Sequence, residues 1–110
     1  MTRTTTRARS ALLGSLDAAT AASADGDRTA MWAHLEDAHI PSQPHAMDHV
    51  RVHIRMLAEG LRERDCLEVR GQVLRSLVAA PGSLTGRYPR GNTGRARVPA
   101  TQPMPVRPEF

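Results

Sequence analysis

The chain of 110 residues is predicted to be all-α, with four helices forming two antiparallel hairpins and an extended Gly/Pro/Arg-rich tail. Three observations predict this. Aromatic residues make up only 3% of a chain that is 40% apolar, so Leu, Val, Ile, Ala and Met must build the core, and these suit helix packed on helix. No long β-branched run alternates apolar and polar residues as a half-buried strand does. Glycine and proline cut the chain into helix-length segments. The length allows one small domain and a tail, with the helical domain over 1–81 and an irregular tail packing on it over 82–110.

The first helix spans residues 7–23, where Ala8, Leu12, Leu16 and Ala19 fall at helical spacing. Gly26 breaks it, and Asp27 is placed to cap the second helix, Arg28 to about Ile40, with Met31 or Trp32, Leu35 and Ala38 turned inward. Pro41 and Pro44 stop that helix and restart the chain, Pro44 fitting the first turn of the third. The third helix, to about Arg64, has the clearest apolar stripe: Val50, Ile54, Leu57 and Leu61. A second row, His49, His53, Met56 and Gly60, lies beside it. Asp65 is placed to cap the fourth helix, which runs to about Ala80 with Leu67, Val69, Val73, Leu74, Leu77 and Val78 apolar, and Pro81-Gly82 ends it. In the tail, Leu84, Tyr88, Val98 and Met104 are the side chains available to pin it to the helices. The first two helices resemble a single tetratricopeptide unit in their Gly-Asp turn and proline ending, but one or two copies do not make a solenoid.

All basic residues are arginine, which together with the abundance of alanine reads as coding bias rather than surface selection. Residues 1–85 hold ten arginines and ten acids, so the net charge of +4 sits on the segment from Gly86 onward. A neutral helical body and a tail without interleaved aromatics argue against nucleic-acid binding. A single cysteine, Cys66, excludes an internal disulfide, and no apolar run reaches the ~20 residues of a membrane helix. Asp17 interrupts the apolar patch near the N-terminus, which argues against a secretory signal and makes the cytoplasm the expected location.

Every histidine lies between His34 and His53. Glu36 and His39 are three apart near the end of the second helix, and His49 and His53 are four apart at the start of the third. A short proline-bracketed turn sets these helices antiparallel, so Glu36, His39, His49 and His53 can converge as E-x2-H-x9-H-x3-H. Three imidazoles and a carboxylate suit zinc, iron or copper, and Glu36 serves either as a ligand or as an orienter of a histidine. Gln43 and His45 are candidates for additional or supporting contacts; His34, on another face, is read as a surface residue. The competing reading is a buried polar cluster, in which the histidines bond to Glu36, Gln43 or backbone and the hairpin is a protein-interaction module. No separate acid, base or substrate pocket is legible, which favours binding over catalysis.

Other motifs carry less. Glu68, Gln72 and Arg75 form a polar row best explained by mutual hydrogen bonds and ion pairs. Cys66 has no histidine beside it to make it a nucleophile. The stretch GRYPRGNTG imitates a phosphate loop but lacks its lysine and a preceding strand.

The segments LEDAHIPSQ, HVRVHIRML, RERDCLEVRGQVLR, PGSLTGRYPRGNTG and PMP, in this order and spacing over about residues 8–106, resemble a small bacterial family catalogued as domain of unknown function 3703. The resemblance implies that Glu36, His39, Gln43, His49, His53, Asp65, Glu68, Gln72 and the GNTG loop are family positions and that His34 and His45 are not. Arg95 and Arg97 depart from the small residues the family favours there. The resemblance implies no activity. The expectation is therefore a helical protein that binds a transition metal for buffering, transfer or homeostasis, with a possible protein partner.

Overall fold

The computed structural model describes residues 3–90, 92–98 and 103–104. Four helices, α1 (Arg3–Ala24), α2 (Arg28–Ser42), α3 (Ala46–Glu63) and α4 (Cys66–Thr85), follow one another with short turns, and there is no strand among the described residues. The closest helix packing is α1 on α2 and α3 on α4, which makes two hairpins, and α2 meets α3 over a smaller area. Among the described residues no helix is long and apolar enough to cross a membrane.

Local chemistry explains most of the boundaries. Gly26, at φ +75, takes the left-handed conformation that turns α1 into α2. The Asp27 carboxylate then accepts from the Ala30 N–H at 3.1 Å, and Asp65 caps α4 in the same way from Glu68 N–H at 3.2 Å. The prolines behave differently from expectation. Pro41 stands inside α2, which continues to Ser42, and Pro81 stands inside α4, which continues to Thr85 and closes at Gly86 with φ +72. A proline near a helix C-terminus removes a single backbone bond, a loss the surrounding contacts offset. Pro44 belongs to the turn, and α3 begins only at Ala46.

The core is made by the first hairpin and one face of α3: Leu12 and Ala19 of α1, Met31, Trp32, Leu35 and Ala38 of α2, Val52 and Met56 of α3. The stripe expected to seal α3 is on the opposite side. Ile54 and Leu61 are exposed, Val50 and Leu57 half-buried, and the buried row is Asp48, His49, Val52, His53, Met56 and Glu59. Helix α4 is reversed in the same sense, burying Glu68, Gln72, Ala79 and Ser83 while Leu67, Val73, Leu74, Leu77 and Val78 are exposed. The inward acids of α3 are paired: Asp48 with Arg9 at 2.8 Å, and Glu59 with Arg28 at 2.7 Å. Burial of ionic groups without partners would be prohibitive, so these arginines are what permit the polar face to turn inward.

Residues 92–98 lie across α4 and reach α2. They are held by polar contacts rather than by the apolar side chains expected: Leu84 is an exposed residue of α4, and Tyr88, Val98 and Met104 are only half-buried. The Glu68 carboxylate, fully buried, accepts from the Ala96 N–H at 2.9 Å and from Arg95 Nε. The Arg95 guanidinium also stacks 3.8 Å over the Trp32 ring. Arg107 of the expected basic tail lies outside the described residues.

Candidate metal centre

Three imidazoles meet where the end of α2, the start of α3 and the second half of α4 come together. His39 is in the last turn of α2, and His49 and His53 are one turn apart on the buried face of α3. Their Nε2 atoms form a nearly equilateral triangle: 3.1 Å from His39 to His49, 3.0 Å from His39 to His53 and 3.1 Å from His49 to His53.

The outer nitrogens determine what that triangle is. His39 Nδ1 lies 2.6 Å from the Asn92 carbonyl oxygen, which can only accept. His53 Nδ1 lies 2.6 Å from Gln72 Oε1. The Gln72 amide is oriented by its own donors, because its Nε2 gives to Glu68 Oε2 at 2.7 Å and to the Gly94 carbonyl at 2.8 Å, leaving the oxygen for His53. His49 Nδ1 lies 2.8 Å from Ser83 Oγ, whose own hydrogen goes to the Gln43 carbonyl, so the serine oxygen accepts from the imidazole. Each ring is thereby assigned the tautomer with its proton on Nδ1. All three Nε2 atoms then present lone pairs to one another, with no donor between them.

Protonation does not relieve this arrangement at neutral pH. Burial holds His49 and His53 down to about 4. His39, with 2% of its surface exposed, is pushed well below the ordinary imidazole range, by burial first and then by the charges of His53 and His49. Neutral imidazoles with converging lone pairs are the donor set of a transition-metal site. With metal–nitrogen bonds of about 2.0–2.1 Å, a tetrahedral shell spaces its nitrogens about 3.3 Å apart and an octahedral face about 2.9 Å. The observed edges fall within that interval, so the donors fit an ion without rearrangement. These three residues are the group of His, Cys, Asp and Glu side chains among the described residues with the spacing to hold one.

The other residues expected at the site stand outside the triangle itself. Glu36 does not join the triangle; its carboxylate faces Arg95 Nη1 at 3.8 Å. It sits one turn before His39, further from the hairpin turn, and Arg95 also binds Glu68 there. Glu36 thus touches the site through a chain, Glu36–Arg95–Glu68–Gln72–His53. Gln43 is buried behind His49, donating Nε2 to the Pro89 carbonyl at 2.9 Å, and its Oε1 has no hydrogen-bond donor. His45 occupies the N-cap position of α3, makes no side-chain capping bond and is outside the triangle. His34 is half-buried and likewise outside it.

Ser83 and the Asn92 carbonyl are supporting partners that the sequence reading did not assign. The polar row Glu68–Gln72 proves to be the brace of His53, and Asn92 and Gly94 of the GNTG stretch cover His39. Within that loop the Asn92 side chain accepts from the Gly94 N–H at 2.8 Å, and Gly94 has φ +85. A Cβ on Gly94 would come within 2.6 Å of the His39 ring, so only glycine lets the backbone pass there. The three histidines open onto a cleft of about 430 Å³ whose other walls include Val78, Ala79, Pro81, Tyr88 and Pro89.

Comparison with known proteins places the chain in a family. The family model described as Protein of unknown function (DUF3703) matches residues 6–110, and the chain belongs to that family. No curated protein and no solved structure matches it.

Proposed function

We propose that this member of the DUF3703 family binds one transition-metal ion through Nε2 of His39, His49 and His53, and serves in metal buffering, transfer or homeostasis. The observation that carries the reading is the buried triangle of three proton-free nitrogens. A structural histidine cluster gains nothing from three lone pairs 3.0–3.1 Å apart, whereas a cation gains three ligands. Zinc, iron and copper all accept imidazole nitrogen, and no protein carboxylate or thiolate in the group narrows the choice. The cleft beside the histidines supports an exchangeable ion with a coordination position open to solvent or to a further ligand. Glu36 acts here at a distance, orienting the brace of His53 through Arg95 and Glu68.

The test is elemental analysis of untagged protein, purified without chelator or nickel resin, beside the His49→Ala/His53→Ala double variant. Near-stoichiometric metal in the native chain and none in the variant is the expected result. Native protein that arrives metal-free and takes up no Zn²⁺, Cu²⁺ or Fe²⁺ at micromolar concentration refutes the proposal and returns the cluster to a structural role in an interaction module.

A further inference from the structure

The second hairpin is inside out. Of the ten exposed large hydrophobic side chains among the described residues, nine belong to α3 or α4, and only Leu13 belongs to α1. On α3, Met47, Ile54 and Leu61 are exposed, with Val50 and Leu57 half-buried between them. Their alternating spacing of three and four is the a/d row of a coiled-coil seam, and it faces away from the buried Val52 and Met56. On α4, Leu67, Leu74, Leu77 and Leu84 keep the same register opposite Gln72, Ala79 and Ser83. The two rows belong to one surface. Gly60 of α3 packs against Glu68 and Val69 of α4, and a groove of about 480 Å³ runs between Leu61 on one helix and Cys66, Val69 and Val73 on the other.

We propose that this face docks on the same face of a second copy of the chain, so that two α3–α4 hairpins close a four-helix bundle about a two-fold axis. Area is the first argument. The nine side chains are exposed by 43 to 78%, which amounts to roughly 1,000 Å² of apolar surface per copy, against the about 800 Å² per partner of a standard stable interface. Shape is the second. A narrow a/d seam on each of two adjacent helices is what knobs-into-holes packing by another helical pair requires, and a self-complementary patch closes in a dimer. Arg64 and Arg70 border the groove, which makes an anionic bilayer the competing occupant. Val78 belongs both to this face and to the wall of the histidine cleft, so the second copy stands at the rim of that cleft. The inference does not depend on whether the histidines hold metal.

Sedimentation velocity on the full untagged chain at tens of micromolar tests it, with flotation on phosphatidylglycerol vesicles alongside. The wild type is expected at about twice the 12.0 kDa chain mass. Leu74→Glu on α4 and Ile54→Glu on α3 are each expected to halve that mass with helical circular dichroism retained, while Leu13→Glu, on α1, keeps the dimer. A monomeric wild type overturns the proposal, and flotation of that monomer would assign the face to a membrane instead. A dimer of unchanged mass in both the α3 and α4 variants also overturns it.

Discussion

Acidification of the metal-free protein offers a quantitative check on the histidine triangle. His49 and His53 titrate near 4 in the folded chain, against about 6.5 in an unfolded one. Between these values the unfolded state binds more protons, so stability rises with pH through this window and is lost as pH falls from about 6.5 towards 4. At pH 4.5 the loss comes to about 2.5 kcal/mol for each of the two, and His39, shifted in the same direction, adds to it. Two such terms rival the total stability of roughly 5–15 kcal/mol expected for a small domain. The shifted carboxylates Asp65 and Glu36 do not imitate this. Asp65, whose carboxyl is lowered chiefly by its bond to the Glu68 backbone N–H, loses its contribution only below about pH 4. Glu36, raised chiefly by burial, acts with the opposite sign. The assay is urea unfolding followed by circular dichroism between pH 8 and 4.5 in the presence of chelator. Wild type should lose several kcal/mol over that range, and His49→Ala/His53→Ala should show a markedly flatter profile even though it is less stable at pH 8. A wild-type midpoint that does not move between pH 7 and 4.5, or a double variant with the same slope, would refute the assignment of three buried neutral imidazoles.

Three further outcomes follow from the contacts around the triangle. Gly94→Ala must relieve both a positive φ and a 2.6 Å approach to His39; it is expected to cost about 1–3 kcal/mol in thermal or urea unfolding and to weaken metal binding. Gln72→Leu removes the acceptor that orients His53 without removing a ligand, and competition with a chromophoric chelator should read a loss of about 10–100-fold in affinity. Glu36→Gln should retain full metal stoichiometry in elemental analysis, because the carboxylate faces Arg95 rather than the ion; a metal-free Glu36→Gln protein would restore Glu36 to the ligand set.

Legibility from sequence followed the range of the interactions involved. His49 and His53 are a local pair four apart, and the short turn after α2 brings His39 to them, so the three imidazoles of the triangle could be read from spacing alone. Glu36, expected either as a ligand or as an orienter of a histidine, stands outside the triangle. Spacing of three put it on the face of His39, but nothing local showed that Arg95, 59 positions further on, would hold it. The partners of the outer nitrogens come from Gln72, Ser83 and Asn92, at separations of 19 to 53 residues, where one sequence carries no pairing signal. Helical periodicity found both rows of α3 correctly as rows. It could not say which faces inward, because it measures segregation of apolar from polar residues and presumes that the apolar side is the buried one.

That presumption fails in α3 and α4 for a reason that joins the fold to the site. Helices α1 and α2 bury Leu12, Met31, Trp32 and Leu35 against Val52 and Met56 of α3, whereas α4 contributes Glu68, Gln72 and Ser83 to the interior. Hydrogen bonds of this kind yield little net stability, yet a broken one leaves a buried group unsatisfied, so the network specifies position more than it supplies cohesion. The α3–α4 hairpin therefore has two sources of cohesion available to it: a cation drawing His39, His49 and His53 together from within, and a covering for its apolar rows from without. Metal bound to the folded chain alone stabilises it by about 2.7 kcal/mol at a hundred times its dissociation constant. An inward polar face and an outward apolar face are thus one arrangement, in which the residues that could hold the metal displace the residues that would otherwise have filled the core.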